Sequence, residues 1–136
     1  EEKSHVIPAI IRRFVEAQEA GLEEVVNWGS GTPTREFLHV RDAAHGIALA
    51  AATKTGPEPI NLGTGVETSI ADLTNTIADA VGYTGTLSWD TSKPDGQPKR
   101  YLDVTRAQKQ LSFSAEIPLA AGIAETVDWY LKNRVG

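Results

Sequence analysis

In Trp28-Gly29-Ser30-Gly31-Thr32-Pro33-Thr34-Arg35 an indole, two glycines and an arginine fall within one short stretch. An indole can stack on a nucleobase, glycines let backbone approach a ligand closely, and a guanidinium can grip phosphate oxygens in a bidentate fork. The same residues describe a strand-to-helix connection with a partly buried Trp and a solvated Arg, and composition alone leaves both readings open. A second stretch, Asp90 to Arg100 (DTSKPDGQPKR), gathers Lys93, Lys99 and Arg100, positive charge that could complement an anionic ligand. Exposed lysines contribute little by default, so Arg100 is the stronger candidate. His5 carries an imidazole that titrates near neutrality and could move a proton, although a helix-start or surface histidine is the plainer reading. His5, His39 and His45 have no second ligand four residues on, so no metal site is expected.

Leu62-Gly63-Thr64-Gly65-Val66-Glu67-Thr68 imitates a dinucleotide fingerprint, with Asp90 where a ribose-binding acid could stand. Thr68 occupies the place of the third glycine, and one βαβ unit is a small platform for a whole dinucleotide. A glycine turn ahead of a capped helix is the preferred reading, and a miniature NAD-binding unit over Gly63 to Asp90 the weakest.

Helical spacing of Ile7, Ile10, Ile11, Phe14 and Val15 predicts a helix over 6–20, with Pro8 in its first turn and Gly21 at its stop. Val25 to Trp28 reads as a short strand and Val40 to Ala51 as a second helix ended by Gly56-Pro57. Pro59 to Leu62 is expected to be a brief strand. Ser69 with Asp72 resembles a capping box for a helix over 69–81. Thr86 to Trp89 is a strand candidate, Thr105 with Gln108 is expected to cap a short helix ending near Leu111, and Leu119, Ile123, Val127, Tyr130 and Leu131 define a last amphipathic helix.

At 136 residues one domain, 1–136, is expected. Hydrophobic residues at 40% and charged residues at 23% are ordinary for a globular chain rather than a disordered one. A net charge of -5 argues against a nucleic-acid footprint. The absence of cysteine excludes disulfides and thiolate chemistry and is compatible with a cytoplasmic location. No apolar run is long enough for a membrane span. The sequence begins at Glu1 and contains no methionine, which favours a segment of something longer.

Three stretches together carry a resemblance: Ser4 to Phe14 (SHVIPAIIRRF), Trp28 to Ala44 (WGSGTPTREFLHVRDAA) and Asp90 to Arg106 (DTSKPDGQPKRYLDVTR). In this order and spacing they are similar to the GDP-L-fucose synthases of the extended short-chain dehydrogenase/reductase family, over essentially the whole chain. The resemblance implies a small mixed α/β substrate-binding lobe, C-terminal in the family, with the Rossmann lobe absent. It implies GDP-sugar, GDP-4-keto-6-deoxymannose, as ligand. His5 matches the epimerisation acid/base, Arg13, Trp28 and Arg35 match substrate-contacting positions, and Asp95 and Arg100 lie in the loop that covers the nucleotide-sugar. His39 is taken as structural, and Arg41 replaces an acidic residue of the family.

The family reaction also needs NADPH, a Tyr-x-x-x-Lys pair, a glycine-rich loop after a first strand, and a cysteine acid/base. Here Tyr83, Tyr101 and Tyr130 are followed four residues later by Leu87, Thr105 and Arg134, and cysteine is absent. No cofactor site is expected in this chain, and turnover by it alone is not expected. The alternative is a structural or interaction module that complements a separate Rossmann lobe. The resemblance gives no basis for a dimer, so a monomer is expected.

Overall fold

The computed structural model describes residues 5–53 and 56–134. α1 (Val6–Glu19) buries Ile10, Ile11, Phe14 and Val15, the residues whose spacing predicted it. It leads into β1 (Glu24–Trp28), which alternates exposed and buried positions as a half-covered strand must. After β2 (Thr34–Arg35) comes α2 (Val40–Ala52), then β3 (Thr68–Ser69), α3 (Ile70–Val81), β4 (Thr86–Asp90), β5 (Lys99–Arg100), α4 (Thr105–Leu111) and α5 (Leu119–Asn133). The expectation of a mixed α/β architecture is met. No helix of the described residues is long and apolar enough to cross a membrane.

β1 and β4 pair in parallel, Glu24 opposite Thr86 through Trp28 opposite Asp90. A main core joins Phe14 and Val15 of α1, Val25 of β1, Leu73 and Ile77 of α3, Tyr83, and Ile123 and Val127 of α5. Tyr83 packs its ring 5.2 Å from that of Phe14 and donates its hydroxyl to the Leu22 carbonyl at 3.0 Å, so this aromatic buries its apolar body without orphaning its polar end. The opposite side of β1 stays open, leaving Val26 and Trp28 exposed. A second sheet orders β3, β2 and β5, with β2 antiparallel to β3 and parallel to β5. Beside it, Ala107, Leu111 and Phe113 form a smaller core against Leu38, Ile60 and Leu62.

Two local expectations are corrected. Residues 59–62 form no strand: Asn61 Nδ2 donates to the Asp103 carbonyl and the Pro59 carbonyl accepts from Arg106, so this segment is held partly by side chains rather than by a ladder. Thr105 is the first residue of α4 rather than its cap; the Asp103 carboxylate accepts from the Thr105 N–H at 2.9 Å instead. The capping box of α3 is present, Ser69 Oγ accepting from the Asp72 N–H at 2.9 Å while donating to the Asp72 carboxylate.

α2 places its apolar stripe outward. Asp42 and Gly46 are its buried residues, and Val40 and Ile47 are 73% and 63% exposed. Asp42 accepts the Ile117 N–H, Gly46 lies against Leu62 and Phe113, and Leu49 and Ala50 pack on the smaller core, so this side of the helix is the one seated on the rest of the fold.

Candidate functional site

Sheet register brings the arginines together. Arg35 stands opposite Thr68 on one side and Arg100 on the other, and residues in register on neighbouring strands share a face. Both arginines line an open cleft of about 470 Å³ with Val6, Glu36, Ile70 and Tyr101. A smaller hollow of about 170 Å³ continues from it, sharing Val6, Arg35 and Ile70 and adding Trp28, Pro94, Asp95 and Gly96. Arg35 is therefore the hinge point of a two-armed site, with Arg100 along one arm and the indole of Trp28 at the end of the other.

The loop after β4 is strapped down over this site. Asp95 accepts from the Ser30 N–H at 2.8 Å and from the Ser30 hydroxyl at 2.7 Å. Gly29, at φ 84°, makes that approach possible, because a Cβ there would collide with the Asp95 carboxylate. Arg35 Nη1 donates to the carbonyls of Thr34 and Gln97, both at 2.7 Å, and the Thr34 N–H donates to the Pro98 carbonyl at 2.9 Å. Lys99, one residue before Arg100 and so on the opposite face, pairs with Glu67 at 2.7 Å, and Glu67 also accepts from the Thr34 hydroxyl. The Ser30 N–H holds the Asp95 carboxyl below its ordinary range, and the Lys99 contact does the same for Glu67. Lys99 is committed to structure, whereas the Arg100 side chain makes no hydrogen bond or ion pair among the described residues.

The glycine turn that imitates a dinucleotide fingerprint has another occupant. The N–H groups of Thr64 and Gly65 both converge on Glu36 Oε1, the latter at 2.9 Å, and Gly63 leaves the room that the Glu36 side chain fills. Consecutive backbone donors of this kind form an anion-binding nest. Here the anion is the protein's own carboxylate, so this turn does not fit a dinucleotide pyrophosphate. Asp90 is likewise engaged, accepting from the N–H and hydroxyl of Ser92. Among the described residues no group of three or more His, Cys, Asp or Glu could hold a metal.

Of the sequence candidates, Trp28, Arg35, Asp95 and Arg100 border the two hollows. Trp28 is 60% exposed, with Lys93 Nζ 5.7 Å from its ring centre. His5 precedes α1, one residue before Val6, which lines both hollows. Arg13 lies apart: Nη1 donates to Asn27 Oδ1 at 3.3 Å, and Asn27 alternates with Trp28 to the buried side of β1. Glu36 was not among the candidates. Its partners Thr64 and Leu102 lie 28 and 66 residues away, so no local spacing announces them.

Residues 1–63 match the NAD dependent epimerase/dehydratase family. The chain is 51% identical to the GDP-L-fucose synthase of Escherichia coli (strain K12), over 96% of this chain and 43% of that protein. It is 44% identical to GDP-L-fucose synthase 1 of Arabidopsis thaliana, over 97% of this chain and 41% of the relative. The chain thus spans about 40% of the length of the curated relatives it matches. A crystal structure of a GDP-L-fucose synthetase from Naegleria fowleri bound to NADP superposes with a TM-score of 0.89 at 35% identity, over 97% of this chain and 41% of that one. Residues 1–63 thus match the family model, and along nearly its whole length the chain resembles, in sequence and in fold, about two fifths of a GDP-L-fucose synthase.

Proposed function

We propose that the chain, as one domain over 1–136, is the nucleotide-sugar-binding lobe of a GDP-L-fucose synthase-like epimerase/reductase, and that it binds a GDP-sugar without turning it over alone. The observation that carries this reading is the register pairing of Arg35 with Arg100 in one cleft that continues to Trp28. Paired guanidiniums suit the two phosphates, and an exposed indole suits the flat base. Asp95, by fastening the loop to Ser30, gives the second hollow its wall. Arg13 lines neither hollow and is bonded to Asn27, so its share of the binding is the smallest. His5, next in sequence to the cleft-lining Val6, is the proton donor and acceptor once the remaining catalytic groups and NADPH are supplied by a Rossmann lobe. Isothermal titration with GDP, UDP and buffer tests the reading: GDP binding is expected, and no heat at millimolar ligand overturns it.

A second reading is favoured by the outward apolar stripe of α2, Val40, Ala44, Ile47, Ala48 and Ala51, a face of the kind that marks a protein interface. On it the chain is a module that docks against a separate Rossmann lobe. Co-purification with such a lobe and recovery of NADPH-dependent turnover would support it.

A further inference from the structure

We propose that Glu36 is the positioning residue of the cleft, setting its affinity for a diphosphate by holding the strand of Arg100 in place and by keeping its own charge away from both guanidiniums. This rests on the nucleotide-sugar reading above, and deepens it by naming a residue that acts through the backbone it holds.

A glutamate in the same cleft wall as two arginines has an obvious alternative fate. A carboxylate and a guanidinium within reach form a bidentate pair, which would use the donors a phosphate needs. The backbone prevents that here. Oε1 is taken by the Thr64 and Gly65 N–H groups, and Oε2 by the Leu102 N–H at 2.7 Å. Glu36 forms no ion pair with Arg35 or Arg100 among the described residues. The same bonds tie three distant segments into one unit: the end of β2, the 63–65 turn and the chain just beyond β5. Because β5 is only Lys99–Arg100, its pairing with β2 is short, and the Leu102 bond is the anchor on its far side.

Glu36→Gln separates the two halves of this arrangement. A glutamine keeps one acceptor, enough for the Thr64 and Gly65 pair, and turns an NH2 toward the Leu102 N–H, where two donors face each other without an acceptor. In Glu36→Ala all three backbone donors lose their partner. Amide exchange of Leu102 and β5 is expected to quicken at least tenfold in Glu36→Gln, with the Thr64 and Gly65 amides little changed and those of Phe14, Leu73 and Ile77 unaltered. The Nε–Hε resonances of Arg35 and Arg100 are expected to shift. GDP affinity is expected to fall about tenfold, while guanosine, which lacks the diphosphate, is held within about twofold of wild type. Equal loss for GDP and guanosine, or uniform quickening across the core, would make Glu36 a general stabiliser and overturn the proposal. So would unchanged Leu102 exchange and unmoved arginine resonances in both variants. If wild type itself binds no GDP, the function reading fails, and the exchange and arginine signals, which need no ligand, still decide whether Glu36 positions the cleft.

Discussion

Arg35 and Arg100 differ in how much of each guanidinium the fold has already used. Arg35 spends Nη1 on the Thr34 and Gln97 carbonyls, whereas the Arg100 guanidinium is uncommitted among the described residues. Removing Arg100 should therefore weaken ligand binding without loosening the loop: Arg100→Ala is expected to cost about 1.5–3 kcal/mol of GDP affinity by titration calorimetry, the usual worth of a charge-assisted contact, with the melting temperature nearly unchanged. Arg35→Ala should lower both. Asp95 supplies a pH dependence. Its carboxyl is held below the ordinary range by the Ser30 N–H and hydroxyl, so the folded state favours the charged form. That contribution is fully present above the unfolded carboxyl pKa and is lost as pH falls through the lower folded value. Amide exchange of Ser30, followed by NMR from neutral pH down into the acid range, should show protection vanishing at the acid end, and Asp95→Ala should remove most of it throughout.

At the scale of elements, each helix start is a small hydrogen-bonding problem solved locally. Ser69 and Asp72 solve it for α3 within four residues of sequence, which is why the pattern is readable there. Ser69→Ala should lower stability by about 1 kcal/mol, measured by urea unfolding, because an N–H in the first turn loses its acceptor. The start of α4 lies one residue earlier than the Thr105–Gln108 pattern predicts, for an equally local reason: Asp103 reaches the Thr105 N–H with no acidic or amide partner needed three residues on. The expected strand at 59–62 failed differently. Apolar residues bounded by turns satisfy a strand pattern, but a strand exists only where a second backbone lies alongside, and none of the described residues offers one.

For the whole molecule, one core holds α1, β1, α3 and α5, and Phe14 lies fully buried inside it. Phe14→Ala should cost about 3–5 kcal/mol in equilibrium unfolding, a large-to-small change with little room to collapse. The α2 stripe has the opposite relation to its surroundings. Its Val40 and Ile47 side chains are on the outside, so Ile47→Asp should leave stability close to wild type while reducing concentration-dependent association, readable by sedimentation velocity.

Sequence by itself determined the five long-range periodic elements, α1, α2, α3, α5 and the β1 strand, because periodicity and punctuation are properties of neighbours along the chain. It also carried the resemblance to the GDP-L-fucose synthases, since matched stretches in a matched order are sequence facts. Tertiary structure alone decided that Arg35 and Arg100 are partners across two strands, that Lys99 faces away to Glu67, and that Arg13 turns to Asn27. It decided, too, that the N–H groups of the glycine turn at 63–65 receive the Glu36 carboxylate. Such pairings depend on which remote segment folds alongside, and a carboxylate seated on backbone N–H groups leaves no residue pattern at its receiving end, since any residue but proline can present the donor.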